Sequence, residues 1–266
     1  MIDIHCHILP YVDDGAKHMD EAVQMARIAY EQGIKKIVAT PHYIEDGEYL
    51  SVRIDKKVER LNYVLKQKKI ELEVLVGNEV FITPNLPSLI KSRKINTINQ
   101  TQYLLIEFPL FSLPNYIENV IFELKLIGIV PIIAHPERYR FISENPNVLI
   151  KYIDIGVLCQ INSGSIIGDY GKAIMEASLN LIKHDMAHVV ASDAHSMKGR
   201  SPRLKIAYEK VQKLYGEEKA KELFYVNTRK IVEGKDLNIS IPKRIKRKDG
   251  VKKLLDIFKL NSKKIQ

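Results

Sequence analysis

Residues 1–18, MIDIHCHILPYVDDGAKH, place titratable side chains in an otherwise apolar and β-rich start to the chain. His5 and His7 are two residues apart, so on a strand they point to the same face. Asp13 and Asp14 follow in a predicted loop. Imidazoles and carboxylates are costly to bury unless they share a partner. This stretch therefore predicts that the rest of the chain brings further groups to the end of the first strand.

The pattern of a β-rich run followed by helical spacing recurs along the chain. The predicted strands are MIDIH, IKKIVAT, ELEVLVG, YLLIEF, VPIIAH, VLCQIN and HVVASD. The predicted helices cover 22–30, 55–69, 115–126, 146–153, 174–181, 202–215 and 217–224. Runs such as VLV, LLI and VVA are apolar on both faces, which is typical of parallel strands covered by helices. Seven such units without a glycine-rich nucleotide loop predict an α/β fold of barrel or barrel-like form.

Imidazoles and carboxylates lie at or just beyond the carboxyl ends of six predicted strands. They are His5, His7, Asp14, His42, Glu79, Glu107, His135, Asp193 and His195. In a parallel barrel these strand ends share one rim, where active sites lie. One such residue alone is more often structural, but nine together would be electrostatically costly without a cation. Mixed His and carboxylate ligands suit Mn, Fe or Zn better than Mg or Ca. Nine ligands predict two or three ions with bridging carboxylates, an arrangement used for phosphoester hydrolysis.

Two assignments near the first strand stay open at the level of sequence. Asp13 competes with Asp14 as a ligand, because one residue of loop geometry decides between them. Asp3 has the same parity as His5 and His7, which suggests that its carboxylate orients a histidine from behind.

Length and composition predict a cytoplasmic protein. The 266 residues can form one large domain, and no apolar run approaches the roughly 18 residues of a membrane-spanning helix. The amino terminus lacks the pattern of a signal peptide, and two cysteines are too few for a disulfide framework. A cysteine-dependent phosphatase needs an arginine six residues after its cysteine. Val12 and Ser165 stand there instead, after Cys6 and Cys159.

The positive charge is concentrated at the carboxyl terminus. Residues 241–266 carry ten Lys and Arg against two Asp, so this tail accounts for +8 of the net charge of +9. We therefore divide the chain into a catalytic body, 1–240, and a basic tail. Two interpretations of the tail stay open, a solvated, disordered extension and a basic amphipathic helix that binds an anionic membrane surface. Its single aromatic residue, Phe258, argues against nucleic-acid binding.

Seven motifs in this order resemble the polymerase and histidinol phosphatase (PHP) superfamily, and specifically its bacterial tyrosine-phosphatase branch encoded with capsule and exopolysaccharide genes. The motifs are DIHCH, DDG, TPH, GNE, IEF, AHPERY and SDAH, and the resemblance covers roughly residues 1–235. It implies a distorted (β/α)₇ barrel, a trinuclear site usually assigned to manganese, and phosphotyrosine-protein phosphatase activity. It also implies an autophosphorylating tyrosine kinase as partner, and it places the family's ligands on the same nine residues.

Arg138 and Arg200 follow two of the candidate ligands closely in sequence. Arginine is a planar, permanently charged donor suited to phosphate, so both are predicted to bind the phosphoryl group. Metal-bound hydroxide would then attack phosphorus in line. Two alternatives remain: a histidinol-phosphate or nucleotide or nucleic-acid phosphoesterase of the same superfamily, and a non-enzymatic, metal-stabilised module that binds the kinase.

Overall fold

The computed structural model describes residues 1–45 and 53–246. The strands are β1 (Ile2–Cys6), β2 (Lys36–Ala39), β3 (His42–Tyr43), β4 (Glu73–Val76), β5 (Glu79–Phe81), β6 (Tyr103–Glu107), β7 (Val130–Ala134), β8 (Leu158–Asn162) and β9 (Val189–Ala191). The α-helices are α1 (Met19–Glu31), α2 (Ile54–Gln67), α3 (Leu86–Lys91), α4 (Ile117–Leu126), α5 (Arg140–Glu144), α6 (Val148–Ile153), α7 (Ser163–Ile167), α8 (Lys172–Lys183), α9 (Lys205–Tyr215), α10 (Glu217–Lys221) and α11 (Asn227–Val232). A π-helical turn, Glu222–Val226, joins the last two helices.

Every strand pair in the two sheets is parallel, which confirms the predicted α/β class. One sheet has the order β1-β2-β4 and the other β3-β5-β6-β7-β8-β9. Two short strands, β3 and β5, have no sequence prediction and directly follow β2 and β4, with a break before each. Pro41 at the first break has no N–H for a strand ladder. At the second, a side chain on Gly77 would come within 2.7 Å of Val38 Cγ1.

The first and last strands of the described chain are hydrogen-bonded neighbours. The His7 N–H donates to the Ala194 carbonyl at 2.8 Å, and the Asp193 N–H donates to the His5 carbonyl at 2.8 Å. The Ser192 N–H donates to the Asp3 carboxylate at 2.9 Å. These bonds bring residues separated by almost the whole body of the chain to one place.

Alternate residues of the strands divide into two apolar clusters. One cluster includes Ile4, Val38, Leu105, Ile132, Leu158 and Val189. The other includes Ile37, Leu104, Ile133, Cys159 and Val190 together with the buried faces of helices such as α1 and α2. The strands are therefore apolar on both faces, as predicted for parallel strands that are covered by helices.

The predicted helices are confirmed, each with small shifts at its ends. The sequence did not predict three short helices, α3, α5 and α7. Each has only five or six residues, which is too short to show a helical period. The final predicted helix, 217–224, continues through the π-helical turn to Val232. None of the helices in the described part of the chain has the length and apolar composition that a membrane span requires.

The start of the predicted tail packs against the body. Lys243 donates its N–H to the His184 carbonyl, and its Nζ lies 2.7 Å from Asp185 Oδ2. The backbone of Ile245 exchanges two hydrogen bonds with the Asn147 side chain. The rest of the tail, 247–266, lies outside the described residues, and with it the predicted amphipathic helix.

His188, just before β9, generates a prediction about stability and pH. Burial, together with nearby Lys219, lowers its pKa to about 4, and its Nδ1 accepts the Cys159 N–H at 2.9 Å. The unfolded chain takes up a proton near pH 6.5 that folded His188 does not. The contribution of His188 to the free energy of unfolding is therefore fully present above about pH 6.5 and is lost as the pH falls toward 4. Between pH 7 and pH 5 the loss is about 2 kcal/mol.

His188→Gln keeps a side-chain acceptor but removes the titrating group. The free energy of unfolding, measured by urea denaturation at pH 7 and pH 5, should fall by about 2 kcal/mol less in this variant than in the unmodified chain. Equal losses in the two proteins would contradict the prediction.

Candidate metal centre

All nine predicted ligands converge at the carboxyl ends of the strands. Three overlapping groups have ligand atoms within 4.8 Å of one another: His5, His7, Glu79 and Asp193; His42, Glu79 and Glu107; and His7, Asp14, His42 and His195. The ninth residue, His135, contacts Glu79 and Glu107. The sequence prediction that these side chains meet at one rim is therefore matched by the geometry.

Glu79 lies at the middle of the site and is nearly completely buried. Its Oε2 lies 3.2 Å from His5 Nε2, 3.2 Å from His7 Nε2 and 3.1 Å from His42 Nδ1. Its Oε1 lies 3.0 Å from His135 Nε2. One carboxylate thus faces four imidazoles through both of its oxygens, and it belongs to two of the three groups of candidate ligands.

Asp193 completes the inner group, and Glu107 lies at its edge. Asp193 Oδ1 lies 3.3 Å from His5 Nε2 and 3.6 Å from His7 Nε2. Glu107 Oε1 lies 3.6 Å from His135 Nε2, and the Glu107 side chain is about one-fifth exposed. The inner group is sealed from solvent, whereas the Glu107 side of the site is open.

The loop after β1 decides between Asp13 and Asp14. Asp14 Oδ1 lies 3.3 Å from His195 Nε2 and 3.6 Å from His42 Nε2, at the exposed mouth of the site. Asp13 instead lies behind His7 and accepts its Nδ1–H at 2.7 Å. Asp14 therefore has the position of a ligand, while Asp13 orients one.

His5 and His7 direct the lone pairs of their Nε2 atoms toward the same point. Asp13 can only accept, so His7 must donate from Nδ1, and His5 Nδ1 lies 2.8 Å from Gln160 Oε1. The two Nε2 atoms lie 3.2 Å apart. Glu79 Oε2 is buried between them without a hydrogen-bond partner in the described structure. Imidazole lone pairs around an unpaired carboxylate oxygen fit the donor set of a transition-metal ion.

The electrostatics of the site favour positive charge. Burial opposes protonation of His7, yet the neighbouring carboxylates of Asp13 and Glu79 raise its pKa to about 10. Burial and the negative charge of Glu79 raise the pKa of Glu107 to about 8. A divalent cation and these protons therefore compete for one region, so metal binding releases protons.

Two candidate ligands have a left-handed backbone at the end of their strands. His135 after β7 has φ 34°, and Asp193 after β9 has φ 52°. Such conformations cost about 1–3 kcal/mol for residues with a side chain and concentrate at functional sites. In both cases the turn aims the side chain back into the cluster.

Arg138 and Arg200 lie beside the cluster, as predicted. Arg138 Nη1 and Arg200 Nη2 lie 3.1 Å and 2.6 Å from Asp193 Oδ2. The loop that carries Arg200 folds back, because the Arg200 carbonyl accepts the His195 and Ser196 N–H groups. Tyr170 packs on the other side, with the Arg138 guanidinium 5.3 Å from its ring centre.

The structure corrects the prediction for Asp3. The pairing register shifts between Asp3 and Cys6, which breaks the parity with His5. The Asp3 carboxylate accepts the backbone N–H groups of Ser192 and His5, and within the described residues it has no hydrogen bond to an imidazole. The orienting residues are Asp13 and Gln160, and the sequence signal for the second is a polar side chain within the apolar run VLCQIN.

Known proteins share this sequence pattern. The family model "Capsular polysaccharide synthesis, CpsB/CapC" matches residues 1–233. The chain is 41% identical to tyrosine-protein phosphatase YwqE of Bacillus subtilis, over 82% of this chain and 86% of that protein. It is 34% identical to tyrosine-protein phosphatase CpsB of Streptococcus pneumoniae, over 87% and 98%.

A solved structure supports the likeness. It comes from a study of YwqE from Bacillus subtilis and CpsB from Streptococcus pneumoniae, described as unique metal-dependent tyrosine phosphatases. It superimposes with a TM-score of 0.90 at 38% identity and covers 93% of this chain and 100% of that one.

Gly15, in the DDG motif, generates a prediction about the site. A Cβ there would lie 2.1 Å from the His7 carbonyl oxygen and 2.6 Å from His7 Cβ. Gly15→Ala should therefore displace His7 and lower the affinity for Mn²⁺ at least about tenfold, measured by calorimetric titration.

Gly128→Ala is the matched control for this substitution. Gly128 has φ +79°, and a Cβ at this position would meet no atom within 4 Å, so alanine adds backbone strain of about 1 kcal/mol far from the site. Both variants should melt earlier, but Gly128→Ala should bind Mn²⁺ normally. Equal affinities in the two variants would contradict the role of Gly15.

Proposed function

The chain belongs to the CpsB/CapC family of capsular polysaccharide synthesis proteins, and from this membership we propose that it is a metal-dependent tyrosine-protein phosphatase. The observation that carries the proposal is the convergence of five imidazoles and four carboxylates beside two arginines. Phosphate monoesters are dianionic, and a cluster of cations with two guanidinium groups is suited to bind them.

We propose that His5, His7, Asp14, His42, Glu79, Glu107, His135, Asp193 and His195 hold two or three divalent ions. Manganese suits this mixture of nitrogen and oxygen donors, and iron and zinc are the competing choices. When bound, the ions would supply Lewis-acid activation of water and neutralise charge on the phosphoryl oxygens. Glu79, which faces four histidines, would bridge between ions.

The two arginines would bind and orient the phosphoryl group. Each already uses one nitrogen on Asp193 Oδ2, and each has further N–H groups to offer. Arg200 Nε is buried and has no hydrogen-bond partner within the described residues. Preorganised donors of this kind stabilise the charge that develops during phosphoryl transfer. A tyrosine phenolate, with a pKa of about 10, leaves more readily than a serine alkoxide, which favours aryl phosphates.

The cysteines do not provide an alternative nucleophile. Cys6 and Cys159 are both completely buried, and burial raises the pKa of each thiol above its ordinary value. A nucleophilic cysteine needs a lowered pKa and access to substrate. The metal centre therefore remains the place where hydrolysis would occur.

We also propose the fold superfamily, the substrate and the cellular location that the resemblance implies. The strand order, with hydrogen bonds between the first and last strands, supports a distorted (β/α)₇ barrel of the PHP superfamily. The substrate would be a tyrosine kinase that regulates capsule or exopolysaccharide synthesis, at the cytoplasmic side of the membrane. Contact of the basic tail with anionic lipid would place the enzyme near such a kinase.

Removal and return of metal tests the proposed function. Protein stripped with a chelator should release no phosphate, and Mn²⁺ should restore release from a phosphotyrosine peptide. Phosphoserine peptide, histidinol phosphate and a short oligonucleotide are the comparison substrates, with Zn²⁺ and Mg²⁺ as comparison metals. Preference for histidinol phosphate or the oligonucleotide would move the chain to a phosphoesterase of another kind. No turnover with metal bound would favour the kinase-binding module.

Replacement of Arg138 tests the phosphate-binding role. Arg138→Met should lower kcat/KM for the phosphotyrosine peptide by about 10²–10³, as the loss of one preorganised donor does elsewhere. Arg229→Met is the matched control, because Arg229 is exposed and its Nε lies 3.9 Å from Glu233 Oε1, an ordinary surface pair. Similar kcat/KM values for the two variants would refute the role of Arg138.

A further inference from the structure

Two buried amides on β8 lie next to the candidate metal centre. Gln160 and Asn162 are both completely inaccessible to solvent. They have the same parity as Leu158, which packs with the apolar side chains on one face of the strands. A buried side-chain amide is tolerated when its donors and acceptor find partners, so the identity of those partners is informative.

The two amides form a continuous chain of hydrogen bonds between two candidate ligands. His5 Nδ1 lies 2.8 Å from Gln160 Oε1. Gln160 Nε2 donates to Asn162 Oδ1 at 2.8 Å, and Asn162 Nδ2 donates to Asp193 Oδ2 at 2.6 Å. The Asn162 backbone N–H also donates to Glu137 Oε1 at 2.9 Å, which fixes the end of β8 beside β7.

The direction of this chain follows from the carboxylate. Asp193 can only accept, so the Asn162 group that faces it must be the NH₂. Asn162 Oδ1 then faces Gln160 and must accept, which requires the Gln160 NH₂ there and turns Gln160 Oε1 toward His5. An oxygen in that place accepts a proton from His5 Nδ1. The charge on Asp193 thus fixes the orientation of both amides.

We propose that Gln160 and Asn162 are paired positioning residues that set the tautomer of His5 from the charge on Asp193. Three hydrogen bonds away from the carboxylate, His5 keeps its proton on Nδ1 and presents the Nε2 lone pair to the cation. The same chain, together with Arg138 and Arg200, holds Asp193 Oδ2 and leaves Oδ1 3.3 Å from His5 Nε2. This inference rests on the proposed metal site. It means that His5 and Asp193, which are far apart in the sequence, are held by the same pair of amides.

The proton on His5 can be observed directly in the unmodified protein. Zn²⁺ is diamagnetic and suits this donor set, so the chain labelled with ¹⁵N-histidine can be loaded with Zn²⁺ and studied by NMR. The His5 signal, identified by its loss in His5→Gln, should show a protected proton on Nδ1. A proton on Nε2 would overturn the proposal whatever the variants do.

Substitutions test whether the two amides act as a unit. Gln160→Met and Asn162→Leu should each weaken Zn²⁺ and Mn²⁺ binding about 10–100-fold, by calorimetric titration. The double variant should be little worse than either single one, because both break the same chain. Additive losses would overturn the pairing.

We call the hydrogen-bonded chain from His5 through Gln160 and Asn162 to Asp193 the relay. Gln160→Glu distinguishes an effect of this relay from an effect of the contact with His5 alone. Glutamate still offers an acceptor to His5 Nδ1 but has no donor for Asn162 Oδ1. The relay predicts a loss of metal affinity similar to that of Gln160→Met. Affinity equal to that of the unmodified chain would overturn the relay, since the contact with His5 alone would then suffice.

Asn227→Leu is the matched control for loss of a buried amide. Asn227 is buried, and its Nδ2 donates to the His188 carbonyl at 2.8 Å, away from the ligands. This variant should lose stability but keep its metal affinity, and an equal loss of affinity would overturn the proposal. Metal affinity and the NMR signal do not depend on turnover. A chain that shows the relay but does not hydrolyse phosphotyrosine would refute the proposed function alone.

Discussion

The structure depends on the need to compensate a buried concentration of carboxylates. Glu79 and Asp193 lie at the centre of the rim with almost no access to water, and the imidazoles around them are held by further polar groups. Burial of isolated charges costs far more than any single contact returns. Nearby polar groups offset part of that cost. His5 and His7 each have the outer ring nitrogen hydrogen-bonded, and each inner carboxylate lies among imidazole or guanidinium groups.

The supports of the site come from different strands, which gives it rigidity. Asp13 follows β1, Gln160 lies on β8, and the arginines on Asp193 follow β7 and β9. Ligands held by groups on separate elements cannot relax together when one element moves. A site of this kind keeps its geometry before substrate arrives, which is the condition for electrostatic stabilisation of a transition state.

Sequence reasoning succeeded where the signal was local. Apolar runs ending in His, Asp or Glu gave both the strands and the rim of the site, because parallel strands bring their carboxyl ends together. It was wrong for Asp3, where the register shift reverses the parity argument, and it left Asp13 and Asp14 open, because the turn at Asp13 decides which of them points into the site. The path of the loop to Arg200 depends on bonds to its own carbonyl, which no spacing rule reveals.

The adjacency of the first and last strands has a consequence for synthesis of the chain. During synthesis His5 and His7 precede their partners Asp193 and His195 by 188 residues. Between these two stages of synthesis the nascent chain carries only part of the candidate site. The candidate site is complete only when β9 has docked against β1, so formation of the site is coupled to a contact between residues far apart in the sequence.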